Sequence, residues 1–322
     1  CVARRRASTP CMIRSLRKVE ERPMSMTKSQ RRHAFSAFRY FVLTIWLLIV
    51  AFPIFWMVST SFKPDREWFA WPPVYISENA TLQNYLTVWA DVSEYATDET
   101  GKLETYTQSL QRPWEALGNS ALISVISTTL TVLFGSVLAY GVSRYGILSE
   151  GRMFQLLMLR MVPPIVLIAP ISIWYSALGL LDSITGLVML YFLTTLPYAV
   201  WMSKSFIDEV PREMEQAAEI LGASRMRTIW EVVLPLVRSG LVATFLFILI
   251  LTWSEYLLAL LLSKTEVVTL PVELSKYQGS TEGRVYGRQA ALSVGITLPL
   301  IVVGLMIRKH LARGFSFGMV RR

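Results

Sequence analysis

The sequence has little of what a soluble catalyst needs. Of 322 residues only two are cysteine, Cys1 and Cys11, and only two are histidine, His33 and His310. Two cysteines near the start, without metal-ligand companions, point neither to a disulfide framework nor to a zinc site. No H-E-x-x-H or C-x-x-C occurs, so no catalytic constellation is visible. No G-x-x-x-x-G-K-[ST] occurs either, so the chain has no loop of that kind to cradle ATP phosphates. The reading is therefore of a non-enzyme that binds no cofactor itself. Charge is also in short supply, at 17% of residues.

What the chain does have is apolar length. Apolar residues make up 53%, and mean hydropathy is +0.42, rarely seen in soluble domains of this size. Six apolar runs are long enough to cross a bilayer, at about 39–61, 115–140, 153–178, 183–206, 238–262 and 288–308. Pro53, Pro163, Pro164, Pro170, Pro197 and Pro299 fall inside them and predict kinks, which membrane helices tolerate when neighbours satisfy the freed backbone. The fold class is all-α and integral to the membrane. The lipid bilayer is the chain's first partner. Net charge is +9, but the basic residues flank apolar spans and form no single stripe, which argues against nucleic acid.

Three parts follow. Residues 1–38 form a basic segment without sustained apolar period. Cys1 is an odd first residue for a translated product, so Met24 or Met26 is expected as the native start, and residues 1–30 are expected to lie outside the fold. Residues 39–308 form the membrane domain, and 309–322 a tail. With the N-terminus inside, 23 of the 32 Lys and Arg fall on inner segments and 8 on outer ones; without residues 1–30 the inner count is 15. Positive-inside asymmetry then places both termini in the cytoplasm. It leaves 62–114 as a long outer loop, with 90–112 an acidic insertion that could touch a binding protein or be merely solvated.

The chain is organised around a charged island, Asp208–Leu236, between two apolar spans. Pro211 suits a first helical position. Met214, Ala217, Ala218 and Leu221 share a face by i, i+3, i+4, i+7 spacing, with Arg212, Glu215 and Glu219 on the other side. Gly222 stops the first helix, and Ser224 is a candidate N-cap for a second, on which Met226, Ile229, Trp230 and Val233 repeat the spacing. Leu234-Pro235 closes the unit. An interfacial reentry and a docking element for another protein both fit, since small residues beside acids allow close helix contact. The topology puts the island in the cytoplasm.

Two charges lie within the spans. Arg160 sits about seven residues into the third span, roughly 10 Å deep at 1.5 Å per residue. It is a functional-site candidate, or it snorkels to the interface. Glu255 is the most deeply placed acid, with Trp253 and Tyr256 beside it. It either lines a substrate cavity or is an interhelical partner.

The island resembles the EAA loop of permease subunits of bacterial binding-protein-dependent ABC importers. The pattern reads Gln216-Ala217-Ala218, Gly222-Ala223, then Leu234-Pro235. Fragments at Thr60–Pro64, Thr81–Tyr85, Ala116–Ser120, Arg160–Pro164, Leu178–Ser183, Leu196–Trp201 and Ala312–Arg322 are similar to the carbohydrate branch, the second permease of maltose-type importers. Gln216 stands where the family usually has Glu, with Glu215 just before it. Leu221 stands where the sugar branch usually has Asp, as in polyamine, phosphate or amino-acid permeases.

The resemblance implies a type I importer permease fold with a cytoplasmic coupling helix, in the bacterial inner membrane. Glu215, Gln216, Ala217, Ala218, Gly222, Ala223 and Pro235 would make the ATPase-coupling surface. It implies a second permease as heterodimer partner, a cytoplasmic ATPase dimer holding ATP and Mg, and a periplasmic or lipid-anchored solute-binding protein. The solute would be a sugar or sugar derivative, with a polyamine or other small polar solute as the alternative. An ion-coupled secondary transporter predicts inverted repeats and several buried titratable groups, and the sequence shows no such repeat.

Overall fold

Within a bilayer every backbone N–H and C=O must be bonded inside its own segment, so long apolar runs become helices. The computed structural model describes residues 28–90, 113–159, 161–263, 265–277 and 285–316, and the regular elements among them are all helical. The chain divides into two compact units, Cys1–Ile54 and Phe55–Arg322. The first holds helix α1 (Lys28–Ser61) as far as Ile54, with exposed apolar side chains such as Trp46, Leu47 and Leu48.

The second unit begins with the last two turns of α1. A short helix α2 (Gln83–Trp89) follows, then α3 (Pro113–Tyr145), α4 (Glu150–Leu159), α5 (Pro164–Ala177) and α6 (Ile184–Asp208). Next come α7 (Arg212–Ile220), α8 (Arg225–Thr228), a π-helical turn (Ile229–Val233), α9 (Leu234–Trp253), α10 (Leu257–Leu262), α11 (Leu270–Lys276) and α12 (Tyr286–Ser316). Helix α3 packs on α6 and α9, α9 also on α6 and α12, and α12 on α2.

Five of the described helices are long and apolar enough to span. The third predicted span is not one of them. It is split into α4, of 10 residues, and α5, of 14. Pro163-Pro164 is the reason: proline offers no N–H and disfavours helix in the residue before it, and Pro163 is extended at ψ 125°. The fifth span also differs. It begins thirteen residues earlier than expected, at Arg225, and breaks at Ser254–Tyr256 before α10. Pro235 does not close the island. It takes an early position of α9, directly after the π-helical turn.

Two apolar cores lie at opposite ends of α3. One gathers Ile123, Leu187, Tyr191, Trp253, Leu270 and Leu292; the other Ala139, Val142, Val200, Ile207, Val233 and Val237. Between them α3 approaches α6 so closely that a Cβ on Gly135 would lie 2.6 Å from Ala199 Cβ. Buried hydroxyls bridge α3 to α6, where Thr131 Oγ1 is 3.1 Å from Thr195 Oγ1, and α3 to α9, where Thr128 Oγ1 is 3.1 Å from Thr252 Oγ1.

The connecting segments are pinned by a few polar side chains. Buried Asn84 donates to the carbonyls of Ser61 (3.0 Å) and Lys63 (2.9 Å). Asn119 donates to Val268 O, and Ser120 Oγ accepts from Leu270 N. Asp182, at φ 51°, accepts from the backbone N–H groups of Thr265, Glu266 and Val267 at 2.9–3.0 Å. Asp182→Ala therefore removes three charge-assisted bonds and puts a poorly tolerated residue at positive φ. Amide exchange at Thr265–Val267 should accelerate on the order of a hundredfold, for about 3 kcal/mol of lost local stability. Asp182→Asn, which tolerates that φ and keeps one acceptor, should move exchange less. Unchanged exchange in Asp182→Ala would mean that the carboxylate does not hold this loop.

Candidate functional site

Helix α7 begins after Pro211, which is the extended residue before the helix and not its first turn. The helix ends as the glycine predicted. Gly222 takes φ 89°; its N–H bonds Glu219 O, and the N–H of Ala223 bonds Ala218 O. That pair of bonds closes a Schellman turn, which uses a left-handed residue that costs least as glycine. Ser224 Oγ then accepts from Arg227 N to start α8. The island is thus two helices about a glycine elbow.

Its orientation is the reverse of a simple amphipathic reading. Ile220 and Leu221 are 86% and 88% exposed, and Met214, Met226 and Trp230 are also exposed. Glu215 is the buried residue of α7. Its Oε1 accepts from Arg144 Nε at 2.6 Å and its Oε2 from Tyr140 OH at 2.8 Å, both partners lying near the end of α3. The two charged side chains are only 9% and 11% exposed. Arg144 Nη2 also donates to Ile207 O and Val210 O, and Arg212 donates to Ser143 O. Ser143 Oγ donates to Asp208 at 2.5 Å, which Lys204 also pairs. A carboxylate and a guanidinium removed from water need this number of partners to be tolerated. The consequence is a helix tied to α3 through its acidic side, with its apolar side turned outward.

The other residues named from the sequence fall as follows. Gln216, Ala217 and Gly222 are exposed on or beside α7, and Ala218 and Ala223 are half-buried. Pro235 is exposed on α9. Trp253 is buried in the core and donates to Ile296 O at 3.3 Å, whereas Tyr256 is 39% exposed. Glu255 is half-buried in the break before α10, where its Oε1 accepts from Leu258 N at 3.2 Å. The two aromatics beside Glu255 thus differ in burial. Arg160 lies outside the described residues, as does most of the 90–112 insertion.

Sequence reasoning missed Arg144, Tyr140 and Asn84. Arg144 carried a signal, being one of two basic residues in a short inner loop, but it counted only towards topology. One further match, Gly314-Phe315-Ser316-Phe317-Gly318, has the letters of a nucleophile elbow. Its first three residues close a long helix, and no described strand leads into it, so the context that motif requires is missing.

Residues 131–316 match the family model described as binding-protein-dependent transport system inner membrane component. The inner membrane ABC transporter permease protein YcjP of Escherichia coli is 30% identical over 88% of this chain and 95% of its own length. The trehalose/maltose transport system permease protein MalG of Thermococcus litoralis is 31% identical over 85% of this chain and 92% of its own. Among solved structures, a bacterial ABC transporter involved in import of the acidic polysaccharide alginate superposes with a TM-score of 0.66. That match covers 88% of this chain and 98% of the other, and at 20% identity it speaks to the fold alone.

Proposed function

Because the chain belongs to the family of binding-protein-dependent transport system inner membrane components, we propose that it is the permease subunit through which an ABC importer moves a sugar or sugar derivative. It is a multi-pass membrane protein and a transport component of an ABC system that also has ATPase and permease partners. The finer reading is a heterodimer with a second permease, a cytoplasmic ATPase dimer that binds ATP and Mg, and a periplasmic or lipid-anchored binding protein. Both termini lie in the cytoplasm. The sugar class rests on relatives named for trehalose/maltose, trehalose and sulfoquinovosyl glycerol transport, each matched over at least 84% of this chain.

One observation carries the coupling role: the glycine-elbowed pair α7–α8 presents exposed Met214, Ile220, Leu221 and Met226 while Glu215 ties it to α3. An apolar helix face without a partner is the ordinary form of a helix that sits in another protein's groove. Gln216, Ala217, Ala218, Gly222, Ala223 and Pro235 belong to or flank that face. ATP-driven closure of the ATPases would push α7, and the Glu215–Arg144 pair would pass the movement to α3. Arg160 and Glu255 are proposed as residues of the solute pathway.

Gly222→Pro tests this. Proline holds φ near −65°, so it cannot adopt 89°, and it deletes the N–H bonded to Glu219 O. The ATPase subunit should co-purify with the native chain and be lost with the variant, or its stimulation by loaded binding protein should fall about tenfold or more. Uptake that follows a proton or sodium gradient, with no ATPase co-purifying, would sink the importer reading.

A further inference from the structure

Helix α1 ends in a turn whose lysine is sequestered. Lys63 is 2% exposed, yet no described carboxylate lies within ion-pair distance of its Nζ. The ammonium instead faces the ring of Trp56, 4.0 Å from its centroid. Burial pulls the Lys63 pKa below the ordinary lysine value, and the negative charge of Glu67 offsets this only in part. The backbone of the turn is locked by Asn84 and by Trp68, whose Nε1 donates to Lys63 O at 3.1 Å.

The side chain borders a cavity of about 430 Å³, within the ~300–1,000 Å³ of small-molecule sites. Trp56, Trp68 and Tyr286 give it aromatic walls, and Thr60 and Gln289 add polar groups. Thr60 is itself only 8% exposed, and its Oγ1 has no hydrogen-bond partner. A buried ammonium and a buried hydroxyl, both with unused hydrogen-bonding capacity beside one cavity, call for an acceptor. Aromatic walls suit the C–H faces of a sugar or polyol, and a cation without a carboxylate partner suits an anion.

We propose that this cavity binds the negatively charged group of a small polyhydroxylated molecule, with Lys63 as countercharge, Thr60 and Gln289 on hydroxyls, and Trp56, Trp68 and Tyr286 against the carbon skeleton. Two sources supply that chemistry: an acidic sugar such as glucuronate, or the headgroup of phosphatidylglycerol. Only the first rests on the sugar-import reading.

The test uses the assembled transporter in phosphatidylcholine nanodiscs. Glucuronate and glucose are titrated calorimetrically, and phosphatidylglycerol retention is followed by native mass spectrometry. Native protein should bind glucuronate about tenfold or more tighter than glucose, or retain phosphatidylglycerol. Lys63→Met should lose that preference and Lys63→Arg should keep it, with size-exclusion profiles confirming that both assemble. Thr60→Val, which leaves the charge in place, should weaken binding several-fold. Retention of the lipid without glucuronate binding supports the site and assigns its source. If neither ligand distinguishes native protein from Lys63→Met or Thr60→Val, the proposal is overturned, and Lys63 and Glu67 serve only each other. Uptake of glucuronate and of neutral sugars, measured on the same transporter reconstituted into sealed phosphatidylcholine vesicles, separates the two readings: absence of both alongside anion binding would remove the import function and leave the cavity.

Discussion

Glu215→Ala is expected to abolish the stimulation of ATP hydrolysis by loaded binding protein while the chain remains in the membrane. Arg144 and Glu215 meet at 2.6 Å with side chains 9% and 11% exposed. Deleting one partner of such a pair strands the other, a cost of about 3–5 kcal/mol. That cost falls on the docking of α7 to α3, because Arg144 and Tyr140 are the contacts of its one buried side chain. At 1.4 kcal/mol per tenfold, the docked population of α7 should drop on the order of a hundredfold or more. The carbonyls of Ile207 and Val210 still hold Arg144, which places the loss towards the lower end. Glu215→Gln keeps an acceptor for Tyr140 and should be milder. A double-mutant cycle with Arg144→Ala should return a coupling energy of at least about 1 kcal/mol. Additive effects in that cycle, or full stimulation in Glu215→Ala, would show that α7 does not work through α3.

Gly135→Leu should yield no monodisperse protein after extraction. A Cβ at that position would stand 2.6 Å from Ala199 Cβ and 3.3 Å from both Ala199 C and Val200 N. Two of those three atoms are backbone of α6, so no rotamer change relieves the clash, and overpacking of this kind costs about 1–3 kcal/mol or more before a larger side chain is fitted. Small residues at such crossings let membrane helices approach, and van der Waals contact is a main source of their association. The diagnostic experiment is a rescue. Gly135→Ala alone should lower the melting temperature in detergent, and adding Ala199→Gly should restore it, since the 2.6 Å contact is then gone and only the 3.3 Å contacts remain. If Ala199→Gly lowers stability further, the two residues do not oppose each other.

Much of this fold was legible residue by residue, and the misses have physical causes. Five apolar runs became spanning helices because their length suffices and no proline pair divides them. Fragments scattered through the sequence as short matches turned out to touch. Asn84 clamps the turn at Ser61–Lys63, and Asn119, Ser120 and Asp182 converge on Thr265–Leu270. No periodicity argument reaches contacts between residues so distant in the chain. The Gly222 elbow was legible because positive φ has few occupants. The face of α7 was not. Apolar spacing identifies a shared face but does not say which neighbour covers it, and here an acid is buried by Arg144 while Ile220 and Leu221 stay exposed. The third span failed because its length sufficed but Pro163-Pro164 divided it.

The hydroxyls that bridge α3, α6 and α9 bear on how the chain is made. Ser127 Oγ donates to Ile123 O, Thr195 Oγ1 to Tyr191 O and Thr252 Oγ1 to Ile248 O, each one turn back along its own helix. A segment whose hydroxyls are already satisfied internally carries few orphan polar groups into lipid. Ser127, Thr195 and Thr252 therefore meet the polar cost of entering lipid within their own helices, before a neighbour is present. The lone pairs left on Thr195 and Thr252 are then available to Thr131 and Thr128 when the helices meet. Thr195 and Thr252 thus serve twice, donating within their own helices and accepting across the helix contacts.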